Sequence, residues 1–233
     1  MNLYFLLEDS KSALKVFPAW FSYFIPKFTR VKNINELRDN NYIMQSGMGY
    51  PQIKNHLQGA IETINSYPDI PLGYLILILD ADDHSIDEVK KDMEECFAVY
   101  GNLRCPHEII VMKKCFETWL LGNLDYFPEV ISEQFKTFIN HFDVSVDDPE
   151  LMIKSPEYPN STSIYHAKYA TEMLRKPFNP KGFNYSKRKP GKVIDEEYFN
   201  GLLKRIKSTN HIGSFQYFID MLYQLTSTQK RTF

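Results

Sequence analysis

Cysteine is scarce in this chain of 233 residues, with only Cys96, Cys105 and Cys115. They form no Cys-x-x-Cys pair, which argues against a disulfide framework or a zinc site and leaves a reducing, cytoplasmic setting as the expectation. Long apolar runs are also missing. The longest, Tyr74–Leu79, stops at Asp80, far short of the roughly 20 residues that span a bilayer. No basic region opens the sequence, and Glu8 and Asp9 interrupt its first apolar run, so a secretory signal is not expected. Internal repeats, low-complexity tracts, the GxxxxGK[ST] of a P-loop and the GxGxxG of a dinucleotide fold are all absent. An excess of positive charge is lacking too: 27 Lys and Arg stand against 29 Asp and Glu, a net −2. Taken alone, that balance argues against a strongly basic nucleic-acid binder.

What is present is ordinary globular material, 43% hydrophobic and 24% charged, which argues against bulk disorder. The charge, however, is unevenly placed. Residues 1–172 hold 15 basic and 25 acidic side chains, and residues 173–233 hold 12 basic and 4 acidic. The stretch 173–194 carries Arg175, Lys176, Lys181, Lys187, Arg188, Lys189 and Lys192 with no acid. Pro177, Pro180, Gly182, Pro190 and Gly191 mark it as a loop. Such asymmetry points to a nucleic-acid or phosphate partner, the simpler alternative being a solvated surface loop.

Hydrophobic patterning predicts alternating strands and helices. Leu3–Glu8, Asn41–Gln45, Gly73–Leu79 and His107–Met112 read as strands. Helices are expected from Ser10, as N-cap, to about Pro26, then at 52–66 and 85–99, and Phe116–Leu121 begins another. Beyond Asp125 the pattern is mainly helical, at about 129–141, 161–174, 195–207 and 212–226. Four strand–helix alternations predict an α/β fold with a mostly parallel sheet flanked by helices, Rossmann-like in plan. The expected division is a core of 1–125 and a mainly helical C-terminal extension of 126–233.

Several acids fall where such a sheet would collect them. Glu8 ends the first strand, Asp80 and Asp82 end the third, and Glu117 follows the fourth. Ligands of open α/β sheets bind beyond the carboxyl ends of the strands, and Mg²⁺ or Mn²⁺ is held by a few carboxylates with water and phosphate oxygens. A strand alternates faces, so Asp80 and Asp82 at i and i+2 project the same way and can hold one ion between them. Asp83 is an alternative cap for the helix near Ser85. A basic residue that neutralises developing phosphate charge would complete the site, and Lys187 and Lys192 are the candidates. Weaker readings are phosphate binding by Ser46-Gly47-Met48-Gly49, metal ligation by His84, and base stacking by Tyr165, Tyr169 or Tyr185. Cys115 reads as core rather than as a nucleophile.

Together these residues resemble the Toprim family of metal-binding α/β domains. The matching features are Glu8 after the first strand, Gly47 and Gly49 after the second, and Asp80-x-Asp82 after the third. Phe116-Glu117-Thr118-Trp119-Leu120-Leu121 is similar to the Phe-Glu-x-Trp-Leu-Leu motif of RloB-like Toprim proteins, with OLD-like and AriB-like nucleases as further relatives. Gly213-Ser214-Phe215-Gln216-Tyr217-Phe218 resembles their C-terminal ends less specifically. Asp9 departs from the Glu-Gly common in the family, so either the local turn differs or Asp9 adds another acid.

The resemblance implies a Mg²⁺- or Mn²⁺-dependent nuclease of DNA or RNA, tRNA included, acting in anti-phage defence beside an ATPase partner. Glu8, Asp80, Asp82 and Glu117 would be its metal and catalytic residues, and the basic loop its nucleic-acid track. A homodimer is a further expectation. The alternatives are a catalytically inactive Toprim-like module that binds an ATPase or nucleic acid, and a metal-dependent phosphotransferase or nucleotide hydrolase.

Overall fold

In the computed structural model, β1 (Asn2–Leu7) is buried along its whole length, as a strand covered on both faces must be. The structure describes residues 1–9, 11–176 and 179–227. The expected N-cap Ser10, and Pro177 of the basic stretch, lie outside the described residues. The chain divides into two compact units, residues 1–80 with 84–111 and residues 81–83 with 112–233. The Phe116–Leu121 helix lies in the second of these units.

The first unit holds a five-stranded sheet in the order β2-β3-β1-β4-β5, with β2 (Thr29–Arg30), β3 (Asn41–Ser46), β4 (Leu72–Asp80) and β5 (His107–Met112). β1 pairs in parallel with β3 and β4, and β2 in parallel with β3. The Leu75 N–H donates to Pro106 O at 3.0 Å and the Ala81 N–H to Met112 O at 2.9 Å. Both chains thus advance together, and the sheet is parallel throughout. The two-residue β2 went unread in the sequence because it is too short to show a period and both residues are exposed.

The connections explain the covering helices. The step from β1 to β2 runs one way across the sheet, past the place of β3, through α1 (Ala13–Phe24), and the step from β3 to β4 returns past β1 through α2 (Gln52–Asn65). Right-handed crossovers of opposite direction place their helices on opposite faces. α3 (Ile86–Tyr100) joins β4 to β5 in the same direction as α2, and Lys54 and Asp92 tie those two helices at 2.6 Å. On the other face, Phe21 of α1 meets Phe5 and Tyr42 at ring separations of 4.9 and 5.3 Å. Each such ring contributes about 1.5–3 kcal/mol by leaving water.

At the start of α1 the Asp9 carboxylate accepts from the N–H groups of Lys11, Ser12 and Ala13 at 2.7–2.9 Å, and from the Ser12 hydroxyl. At α3 the cap is Ser85 rather than Asp83. Ser85 and Glu88 form a reciprocal capping box, which satisfies two otherwise orphaned N–H groups.

The second unit is helical. It contains α4 (Phe116–Leu121), α5 (Glu133–His141), α6 (Thr162–Met173), α7 (Glu196–Thr209) and α8 (Gly213–Ser227). Every residue of α4 is buried, and Trp119 packs against Phe215 and Phe218 of α8 at 5.1 and 5.5 Å. The Trp119 indole donates to the Ser214 hydroxyl at 2.8 Å, so the ring is buried without stranding its N–H. α7 lies tight on the 122–126 segment: a Cβ on Gly201 would stand 2.4 Å from Asn123 Oδ1. Arg205 of α7 is buried and donates to the carbonyls of Val144 and Asp147 at 3.0 and 3.1 Å. Among the described residues, no helix is long and apolar enough to cross a membrane.

Candidate functional site

Helices leave the carboxyl ends of β1 and β4 for opposite faces, and those adjacent ends therefore form the switch point of the first unit's sheet. Crevices of this kind are where open α/β sheets bind ligands. Glu8 follows β1 and Asp80 closes β4. The Glu8 N–H continues the ladder by donating to Ile78 O at 2.9 Å. Its side chain bends toward β4, where Oε2 accepts from the Asp80 N–H at 3.1 Å. Both residues are half-buried. The Glu8 carboxylate thus meets the Asp80 backbone at this rim, and Asp80 Oδ1 is itself buried.

The neighbouring Ser46-Gly47-Met48-Gly49 turn is structural rather than a phosphate cradle. The Gly47 N–H donates to Leu7 O at 2.6 Å, and the Gly49 N–H to Glu8 O at 2.9 Å. The Met48 N–H donates to the Ser46 hydroxyl at 3.0 Å. These three amides are spent inside the fold, and no Cβ fits at Gly47, where it would stand 2.5 Å from Ile53 Cγ1.

Asp82 belongs to the second unit. β4 ends at Asp80, and Asp82 adopts φ +49, a left-handed conformation that ends strand alternation. Its N–H donates to Lys114 O at 2.8 Å, and its carboxylate accepts from the Ser163 hydroxyl of α6. The same-face reading of Asp80 and Asp82 fails for this reason: the second acid lies past the strand.

Glu117, fully buried at 0% exposure, is held by the basic stretch. Tyr185 donates its hydroxyl to Oε1 at 2.8 Å, and Lys187 Nζ lies 3.4 Å from Oε2. Burial and the adjacent carboxylate push the Tyr185 phenol well above its ordinary range, keeping it a donor. A tight turn closed by Ser186 and Lys189 presents Lys187. Lys192 instead donates to Lys181 O at 3.0 Å.

Of the remaining basic candidates, Arg175 pairs with Glu172 at 3.3 Å and Lys181 with Glu197 at 2.7 Å. Lys176, Arg188 and Lys189 are exposed. The basic loop is therefore partly neutralised by acids that lie outside its own sequence window.

The four acids come as one touching pair, Glu8 with Asp80, and two residues engaged by their own partners. Among the described residues, no three His, Cys, Asp or Glu side chains are grouped so as to hold a metal ion. Cys115 is buried at the start of α4, as expected of a core residue. Tyr169 and Tyr185 are buried as well, with their hydroxyls committed to Phe142 O and Glu117. His84 is exposed at the solvent-facing turn before α3.

Sequence patterning missed one buried polar chain. His166 of α6 stands between Thr118 Oγ1 at 2.8 Å and Met152 O at 3.2 Å. Its Nε2–H donates to the carbonyl and its Nδ1 accepts from the threonine, a neutral arrangement. Burial lowers its pKa to about 4. A lone histidine at core spacing gives no sequence signal of this kind. Comparison with known proteins returns no family model, no curated protein and no solved structure that matches the chain.

Proposed function

We propose that the protein is a Mg²⁺- or Mn²⁺-dependent nuclease whose cation site is built on Glu8 and Asp80. The carrying observation is their contact at the carboxyl ends of adjacent strands, Asp80 N–H to Glu8 Oε2 at 3.1 Å. The donors suit the ion. Mg²⁺ prefers hard oxygen ligands and is commonly held by one or two carboxylates, with water and substrate phosphate oxygens completing the shell. A bound divalent cation would supply charge stabilisation for phosphodiester hydrolysis. Glu8 would orient the carboxylate rim through the Asp80 amide. The exposed Arg188 and Lys189 would attract the phosphate backbone, whose binding weakens as salt rises.

The Toprim resemblance of Glu8, Asp80-x-Asp82 and the Phe116–Leu121 motif supports the same reading. Action in anti-phage defence beside an ATPase, with tRNA among the possible substrates, rests on that resemblance alone. A second reading, a non-catalytic module that binds nucleic acid or a partner, is favoured by one observation. Asp82 and Glu117 are already engaged by Ser163, Tyr185 and Lys187.

The test is cleavage of DNA, total RNA and tRNA with Mg²⁺, with Mn²⁺ and with EDTA, by the wild type and by Glu8→Ala and Asp80→Ala. Metal-dependent cutting lost in both variants is the expected result. Cutting that survives EDTA, or that both variants retain, would overturn the proposal.

A further inference from the structure

The second unit contains a cavity of about 200 Å³ that none of the chemistry above uses. It opens between α5, α6 and the 155–158 loop. Its aromatic lining is Phe138, Tyr158 and Tyr165, with Tyr165 ringed by the other two at 5.2 and 5.0 Å. Size limits the occupant. An apolar cavity of roughly 150 Å³ admits benzene, whereas whole drug-sized ligands fill about 300–1,000 Å³. One ring system fits, with the rest of its molecule outside.

The polar lining says which ring. Gln134 and Ser155 bring an amide and a hydroxyl group to its edge, and the Thr137 hydroxyl donates to Gln134 O at 2.8 Å. Tyr165 is 3% exposed and lines the cavity. Burial pushes that phenol up to about 12, so it remains a donor at neutral pH. Lys168 stands at the rim with Nζ 5.8 Å from the Tyr158 ring centroid, placing one positive charge beside the mouth. Glu157, also at the rim, balances that charge, so recognition falls to the ring and its edges rather than to phosphate alone.

We propose that this cavity is a stacking site for a nucleobase, taken either from a free mononucleotide or from an unpaired nucleotide in a strand. An aromatic wall with mixed donors and acceptors along one edge is how proteins hold a base outside a duplex. The site lies within the second unit and is independent of the cation chemistry proposed for Glu8 and Asp80.

The experiment titrates the full chain in EDTA with AMP, GMP, CMP and UMP. Single-stranded RNA and DNA oligonucleotides follow, each matched to a copy carrying an abasic residue. Tyr158→Ala, which removes one ring, is expected to weaken binding about tenfold or more. Thr137→Trp, which fills the cavity, is expected to abolish it, with circular dichroism and thermal melting confirming that both variants fold. Saturation by a mononucleotide identifies a free-nucleotide site, and binding only of base-containing oligonucleotides identifies a strand site. No binding of any nucleotide, or binding that is unchanged by the abasic residue and by Tyr158→Ala, would overturn the proposal. Glu8→Ala is expected to bind as the wild type does. A chain that binds bases but never cuts would count against the nuclease reading and leave this site standing.

Discussion

Lys187 Nζ lies 3.4 Å from Oε2 of the fully buried Glu117, while Tyr185 donates to the same carboxylate's other oxygen at 2.8 Å. The lysine side chain is 43% exposed, so one end of this pair meets water and the other does not. That asymmetry makes Lys187 the solvent-side partner of a carboxylate that pairs with no other cation among the described residues.

Removing the lysine leaves the buried carboxylate without its counter-charge, so the losses from removing each partner should not add. Lys187→Ala is expected to cost about 1–3 kcal/mol, the penalty for stranding a buried acceptor, reduced by the lysine's exposure. The double variant Glu117→Gln/Lys187→Ala is expected to lose less than the sum of the single losses. Urea denaturation of the four species measures this, and strict additivity would contradict the coupling.

Asp9 gathers three backbone N–H groups at the start of α1. Asp9→Ala is expected to cost about 1–2 kcal/mol, as lost N-caps do. Asp9→Ser, which keeps an acceptor, should restore much of the loss. If metal-dependent cleavage is found, it should survive in Asp9→Ser, because the aspartate is occupied with capping. Loss of cleavage in a stable Asp9→Ser protein would assign it a place among the ligands.

Stability should fall with acid through His166. Its folded pKa is lowered to about 4 by burial, against about 6.5 in an unfolded chain. Between those values the unfolded state binds the extra proton, so stability rises with pH across that window. The contribution is fully present above about pH 6.5 and is lost as pH falls toward 4, about 3 kcal/mol in all. Unfolding free energies at pH 7 and pH 4.5 test it. His166→Gln should flatten this part of the profile.

A cation bound at Glu8 and Asp80 should stabilise the fold whether or not any substrate is cut. Mg²⁺ or Mn²⁺ at 100 times its dissociation constant adds about 2.7 kcal/mol, which a thermal melt detects. Glu8→Gln should abolish the shift. An unchanged melting point in the wild type at tens of millimolar Mg²⁺ and at millimolar Mn²⁺ would remove the cation site from this rim.

The sheet was legible because its signals are local. The apolar run ending at Asp80 and the alternation of strands with amphipathic helices need no knowledge of distant contacts, and His107–Met112 and Phe116–Leu121 fall where patterning put them. Glu8 and Asp80 were legible for the same reason, since strand ends in a parallel sheet share an edge. Asp82 was not, because a left-handed residue past the strand reverses the side chain's direction without changing the residue type. The engagement of Glu117 by Tyr185 and Lys187 joins segments 68 residues apart, and no periodicity encodes that contact. Asp9 looked like an extra acid because a cap is defined by the N–H groups it meets rather than by the letter.

The close approach at Gly201 sets a limit on engineering this protein. Replacing a helical glycine with alanine ordinarily stabilises a chain by roughly 0.5–1 kcal/mol. Gly59 of α2, with nothing within 4 Å of an added Cβ, should follow that rule. Gly201 should break it, because a new methyl would meet Asn123 at 2.4 Å and disturb the amide that donates to Tyr198 O at 2.9 Å. Two glycines alike in sequence context thus call for opposite choices: one is a free gain in rigidity, and the other is the clearance on which α7 seats.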